Sequence, residues 1–170
     1  MADSPDFETL VARHYEPLYQ FAFSLTREEA EACDLTQQTF CVWAAKGHQL
    51  RDVSKVKTWL FTTLHREFLG SRRRQKRFPH LELEAAELEL PVISPDVINR
   101  LDAAQVLDVL KQVDDIYQAP VALFYLQDYS YKEIAEILDV PIGTVKSRLT
   151  RGLGKLHQLL AETENQPPTP

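Results

Sequence analysis

Ser130-Tyr131-Lys132-Glu133-Ile134-Ala135-Glu136-Ile137-Leu138-Asp139-Val140-Pro141-Ile142-Gly143-Thr144-Val145-Lys146-Ser147-Arg148-Leu149 is the stretch on which the fold turns. Ser130 and Glu133 have the spacing of a capping box, in which each side chain satisfies the other residue's orphan amide, so a helix is expected over 131–138. Ile134, Ile137 and Leu138 give that helix an apolar side, and Ala135 is small where two helices would cross closely. Asp139 tolerates the left-handed backbone that ends a helix, and Pro141 presets the first turn of the next one, expected to run to about 161. Helix, tight turn and longer helix together make a helix-turn-helix.

The last helix can be unrolled at about 100° per residue. With Val145 as the reference, Ile142, Leu149, Leu153, Leu156 and Leu160 fall within roughly 80° of it and form the expected buried stripe. Thr144, Ser147, Arg148, Arg151 and Lys155 share the opposite face, with Lys146 on its flank. Donors and positive charges on one face suit a DNA major groove, where Arg pairs with guanine edges and Ser, Thr and Lys hold phosphates.

Upstream of this unit the chain again reads as helix. Phe7, Leu10, Val11, Tyr15, Leu18, Ala22 and Leu25 recur at helical steps over 6–25, with Pro17 inside the pattern as a candidate kink. A second helix is expected over 28–45, anchored by Ala32, Leu35, Phe40 and Trp43 and ended by Gly47 in a left-handed conformation. A loop over 48–53 follows. Ser54 is the expected N-cap of a third helix, lined by Val56, Leu60, Leu64 and Phe68 and closed at Phe78-Pro79. Past the connector, residues 97–110 have helical spacing, and a short helix over 117–127 would hold Pro120 in its first turn. No strand-like alternation appears outside 80–94, where alternating Leu and Glu between prolines reads as a connector. The fold class expected is all-α: two small helical domains, 6–78 and 96–161, joined by a flexible acidic linker over 79–95, with a disordered tail over 162–170.

Charge is segregated along the chain. The net charge of −6 and pI of about 5.4 do not suggest a nucleic-acid binder. Yet Arg66, Arg72, Arg73, Arg74, Lys76 and Arg77 form one basic block and Lys146, Arg148, Arg151 and Lys155 another, with Glu82, Glu84, Glu87, Glu89 and Asp96 between them. Local patches govern what a surface attracts. Trp59, Phe61 and Phe68 lie beside the first block, the pairing of stacking and phosphate attraction that suits single-stranded DNA. Cys33 and Cys41 are eight positions apart, about 12 Å on one helix. That is too far for a disulfide, and both are expected to be buried small apolar residues. No apolar run reaches the roughly 18 residues of a membrane span, and no secretory pattern opens the chain, so the expected location is the cytoplasm. His14, His48, His65, His80 and His157 are scattered, without metal-ligand spacing or a phosphate-cradling Gly-rich loop, so neither a cofactor nor an enzymatic role is expected.

The helix-turn-helix, above all Gly143 to Leu149, closely resembles region 4 of bacterial sigma-70 family RNA polymerase sigma factors, in their extracytoplasmic-function group. Asp34-Leu35-Thr36-Gln37-Gln38-Thr39-Phe40 resembles the polymerase-binding helix of region 2, and Trp59-Leu60-Phe61 with the basic run after it resembles the promoter-melting part. The resemblance covers about 7–160. It implies core RNA polymerase and promoter DNA as partners and admits an anti-sigma factor. Asp34, Leu35, Gln37, Gln38 and Phe40 would dock on core polymerase. Arg66, Arg72, Arg73, Arg74, Lys76 and Arg77 would act at the minus-ten element, and Thr144, Lys146, Ser147, Arg148, Arg151 and Lys155 at the minus-thirty-five element. The chain departs from the family pattern at Cys33, where an acidic residue is usual, at His65-Arg66, where Arg-Asn is usual, at Val113-Asp114 and at Asp139. The alternative is a helix-turn-helix regulator that binds DNA without being a polymerase subunit; against it, no βα alternation of a sensing domain is present. In so short a chain, self-inhibition is not expected.

Overall fold

Helix-forming periodicity becomes helix throughout the residues that the structure, a computed structural model, describes: 6–75 and 108–164. Helix α1 (Phe7–Thr26) ends at Arg27, which takes the left-handed conformation at φ 61° and donates its amide to Phe23 O. Helix α2 (Glu29–Lys46) follows almost without a loop. Its buried Thr36 and Thr39 return their hydroxyls to Ala32 O and Leu35 O, at 2.7 and 2.8 Å, so no polar atom is stranded there. Two short 3-10 turns, Gly47–Gln49 and Val53–Lys55, lead into α3 (Val56–Gln75).

Two local expectations change here. Gly47 has φ −60°, not a left-handed value. It is needed for space: a Cβ would lie 2.5 Å from the Trp43 ring. Ser54 does not cap α3; Asp52 caps the preceding turn, accepting from the Ser54 amide at 3.0 Å and its hydroxyl at 2.6 Å.

In the second half, a helical turn at residues 108–110 precedes α4 (Asp115–Tyr125), α5 (Tyr131–Leu138) and α6 (Ile142–Glu164). Buried Gln118 ties that turn to α4 by donating to Leu110 O and Val113 O, at 2.8 and 2.9 Å. Because α4 starts at Asp115, Pro120 sits inside the helix rather than in its first turn. The capping box is present as expected: Ser130 N donates to Glu133 Oε2 at 2.8 Å, and Glu133 N to Ser130 Oγ at 3.2 Å. Asp139 closes α5 at φ 54°. Helix α6 continues to Glu164, three residues past the expected end. The rest of the tail, the acidic linker, Lys76, Arg77 and most of the 97–110 helix lie outside the described residues.

The two halves pack directly against each other, α1 on α4 and α3 on α5. Their buried side chains form one continuous core that includes Phe21, Phe61, Leu64, Leu110, Leu123 and Ile134. Tyr129, in the turn before α5, is a wedge at this junction. Its ring meets Phe61 edge-on at 5.4 Å between centroids, and Lys57 Nζ lies 4.9 Å from its centre. Arg27 Nη2 donates across the junction to Val113 O at 2.9 Å and to Asp115 Oδ1 at 2.6 Å. Gln127 Nε2 donates to Pro17 O at 3.2 Å. Little room for self-inhibition was expected in so short a chain, yet the two halves pack on one another. Among the described residues no helix is long and apolar enough to cross a membrane.

Candidate nucleic-acid interface

The roll of α6 on its domain is set from underneath. Val145, Leu149 and Leu156 are fully buried, and Leu153 and Leu160 pack at the core's margin. Gly152 lets α6 approach α4 closely: a Cβ there would come within 2.6 Å of Val121 Cγ2 and 2.9 Å of Tyr117 Cβ. Sequence reasoning missed this glycine, although a Gly on the apolar stripe of a helix is a signal for close approach. Ile142, expected in the buried stripe, is 46% exposed. It occupies the first residue of α6, beyond the reach of the α5 side chains that cover Val145.

This seating turns Lys146, Thr150 and Lys155 fully outward and leaves Thr144, Ser147, Arg148 and Arg151 half-buried. All six expected region 4 residues thus belong to α6, with Lys146 and Lys155 exposed and the other four half-buried. Helix α6 packs on α4 and α5 of its own half, and of these six residues Arg148 reaches toward the first half. Arg148 is close enough to His65 of α3 for its charge, with that of Arg66, to oppose protonation of the imidazole. Burial is the larger cause, and the His65 pKa is held down to about 4 from the ordinary 6.5. Burial also lowers that of the Arg148 guanidinium. With its pKa at about 4, the His65 imidazole is neutral near pH 7, which spares it from facing the Arg148 charge as a second cation.

In the first half, α2 divides its motif by face. Leu35, Thr36, Thr39 and Phe40 point into the core, and Asp34, Gln37 and Gln38 point out. Leu35 and Phe40 were expected to meet a partner directly. At 9% and 5% exposure they instead anchor the helix that presents the other three. Asp34 and Gln38 line a groove of about 590 Å³ between α2 and α3, together with Glu31, Glu67, Phe68 and Arg72. Arg72 crosses this groove: its guanidinium lies 3.4 Å from Glu31 Oε2 and sits over the Phe68 ring at 5.1 Å. Arg66, Arg73 and Arg74 are exposed. The acidic and polar face of α2 therefore adjoins the basic end of α3, a juxtaposition that separate readings of the two motifs did not reveal.

The aromatic residues beside this block have distinct roles. Phe61 is fully buried against Phe21 and Tyr129, so stacking on a base is closed to it here. Trp59 is half-buried, edge-on to Trp43 at 5.1 Å, and remains partly accessible. Cys33 is half-buried and Cys41 exposed, so the expectation of two buried thiols fails for Cys41, which lies on the outer face of α2. Among the described residues no cluster of His, Cys, Asp or Glu could hold a metal.

Residues 10–78 match the family description Sigma-70 region 2, and residues 103–156 match Sigma-70, region 4. The chain is 30% identical to the ECF RNA polymerase sigma factor SigM of Bacillus subtilis over 145 residues, 84% of this chain and 87% of that protein. It is 28% identical over 169 residues to the ECF RNA polymerase sigma factor SigE of Mycolicibacterium smegmatis, covering 97% of this chain but only 65% of that longer protein. Among solved structures, it resembles the sigma factor RpoE in complex with the anti-sigma factor NepR from Bartonella quintana. The TM-score is 0.71 at 29% identity, over 92% of this chain and 97% of that one.

Proposed function

We propose, from the premise that this chain belongs to the extracytoplasmic-function group of the sigma-70 family, a division of labour between its two halves. The chain is a sigma factor, which binds core RNA polymerase and directs transcription initiation at promoters. Residues 6–78 act as region 2. Asp34, Gln37 and Gln38, outward on α2, dock on core polymerase, while Leu35 and Phe40 hold that helix in place. Arg66, Arg72, Arg73 and Arg74, followed in sequence by Lys76 and Arg77, draw the phosphates of the minus-ten strand toward Trp59. Residues 79–95 are the linker and 96–161 act as region 4, where α6 enters the major groove of the minus-thirty-five element. Thr144, Ser147, Arg148, Arg151 and Lys155 face that groove from one side of α6, and Lys146 reaches it from the flank.

The two elements lie roughly 25 base pairs apart, about 85 Å of duplex at 3.4 Å per step. With the two halves packed on one core, one molecule cannot address both. The halves therefore separate on polymerase, and the packed form is the resting state. An anti-sigma factor that grips the packed form fits this reading. The protein works in the cytoplasm, as a specificity subunit without a catalytic role of its own.

The observation that carries the assignment is the face segregation of α2 and α6: each buries the centre of its apolar side and presents polar and charged residues on the other. A Asp34→Ala/Gln37→Ala double variant tests it. Both residues are exposed, so the fold should survive, and co-purification with core polymerase should fall at least tenfold. Wild-type recovery of core polymerase would remove α2 as the docking helix.

A further inference from the structure

One row of α6 has a composition that solvent exposure alone does not account for. Ile142, Lys146 and Thr150 are spaced at i, i+4 and i+8, so they stand above one another on one side of the helix. All three are exposed. Ile142 is 46% exposed and is not among the side chains packed against the core. Beside it, Gly143 has open space where a Cβ would be, with nothing within 4 Å. Thr150 donates its hydroxyl to Lys146 O at 2.8 Å. That bond occupies the hydroxyl proton within the helix and leaves the γ-methyl as the group's free outward feature. The row therefore reads apolar, cationic, apolar, along one exposed flank of α6.

In a major groove each element of that row has a chemical counterpart. A Lys ammonium addresses the O6 and N7 acceptors of guanine, and the groove's apolar feature is the 5-methyl group of thymine. Successive members of the row are about 6 Å apart along the helix, close to two base steps at 3.4 Å each. We propose that Ile142 and Thr150 read thymine methyl groups about two steps to either side of a guanine contacted by Lys146, and so set part of the upstream promoter sequence. The inference rests on α6 being the DNA-reading helix, and it adds two apolar readers to a face whose polar residues alone were expected to recognise DNA.

Deoxyuridine, which lacks only the 5-methyl group, isolates the contact. The full chain is assembled with core polymerase on a promoter from which it initiates, and each thymine of the upstream element is replaced in turn. Two thymines flanking a guanine should each show about a fourfold loss of binding on replacement, the worth of one buried methyl group. Ile142→Ala should abolish the loss at one of them. Thr150→Ser, which keeps the hydroxyl, should abolish it at the other. Uracil tolerated at every position would overturn the proposal. So would a loss that persists in both variants while Lys146→Ala weakens binding, because α6 would then lie in the groove without these contacts. If Lys146→Ala and Arg148→Ala both leave promoter binding unchanged, the assignment of α6 as the reading helix has itself failed.

Discussion

Protonating His65 should loosen the contact between the two halves. Its imidazole is half-buried, and burial together with the charges of Arg148 from α6 and Arg66 from its own helix opposes a further positive charge. The packed form holds the pKa down to about 4, while a His65 that reaches water would titrate near 6.5. The packed form therefore binds fewer protons, and its stability falls as pH falls. Packing is at full strength above pH 6.5 and weakens progressively between 6.5 and about 4. At about 1.4 kcal/mol per pH unit, the gap from 6.5 to about 4 amounts to at most about 3.5 kcal/mol. NMR titration of the histidine ring protons is the assay, with His65 assigned by the signal lost in His65→Gln. The expected midpoint is near 4 in the wild type and higher in Arg148→Ala, where one opposing charge is gone. The Trp43 and Trp59 fluorescence, recorded alongside, reports whether the first half stays folded over that range. A His65 midpoint of 6.5, unchanged by Arg148→Ala, would refute the reasoning and with it the packing of α6 near α3.

The Tyr129 hydroxyl is buried with no partner at hydrogen-bonding geometry, so Tyr129→Phe should stabilise the fold by about 1 kcal/mol in urea unfolding by relieving an unsatisfied group. Tyr129→Ala should destabilise it by about 3 kcal/mol through the cavity left against Phe61. Gly152→Ala gains about 1 kcal/mol of helix propensity but drives a methyl into Val121 and Tyr117, so a net loss of about 1–2 kcal/mol is expected in the same unfolding measurement. Replacing Arg148 or Arg151 by Ala should weaken promoter binding of the assembled polymerase by about 1–3 kcal/mol, measured by fluorescence anisotropy; unaltered binding would take these residues off the interface.

Much of the helix-turn-helix was legible because its signals are local. The capping box, the left-handed Asp139 and the Val145-Leu149-Leu156 stripe depend on spacings of three to seven residues. The α2 motif was legible as a motif, but assigning Leu35 and Phe40 to a partner ignored its 3.6-residue period, which turns them inward with Ala32 and Trp43. Ile142 was misplaced for a related reason. Unrolling a helix gives the angle of a side chain, not whether any neighbour lies over the helix's first residue. Ser54 lost its capping role to Asp52 because both residue types cap and only the turn geometry separates them. Least legible was the junction. Arg27 with Asp115, Gln127 with Pro17, and His65 near Arg148 are separated by about 80 to 110 positions, and no periodicity links such pairs. Without them the approach of Arg148 to His65 could not be foreseen.

Run-off transcription with purified core RNA polymerase, this protein and a pool of promoter fragments from its host addresses the central claim most directly. Discrete transcripts that appear only when the protein is added, and disappear with the Asp34→Ala/Gln37→Ala variant, are the predicted result. Absence of any protein-dependent transcript, in a reaction where the protein still binds the same DNA fragments, would contradict the account and leave a helix-turn-helix protein that recognises DNA without serving polymerase.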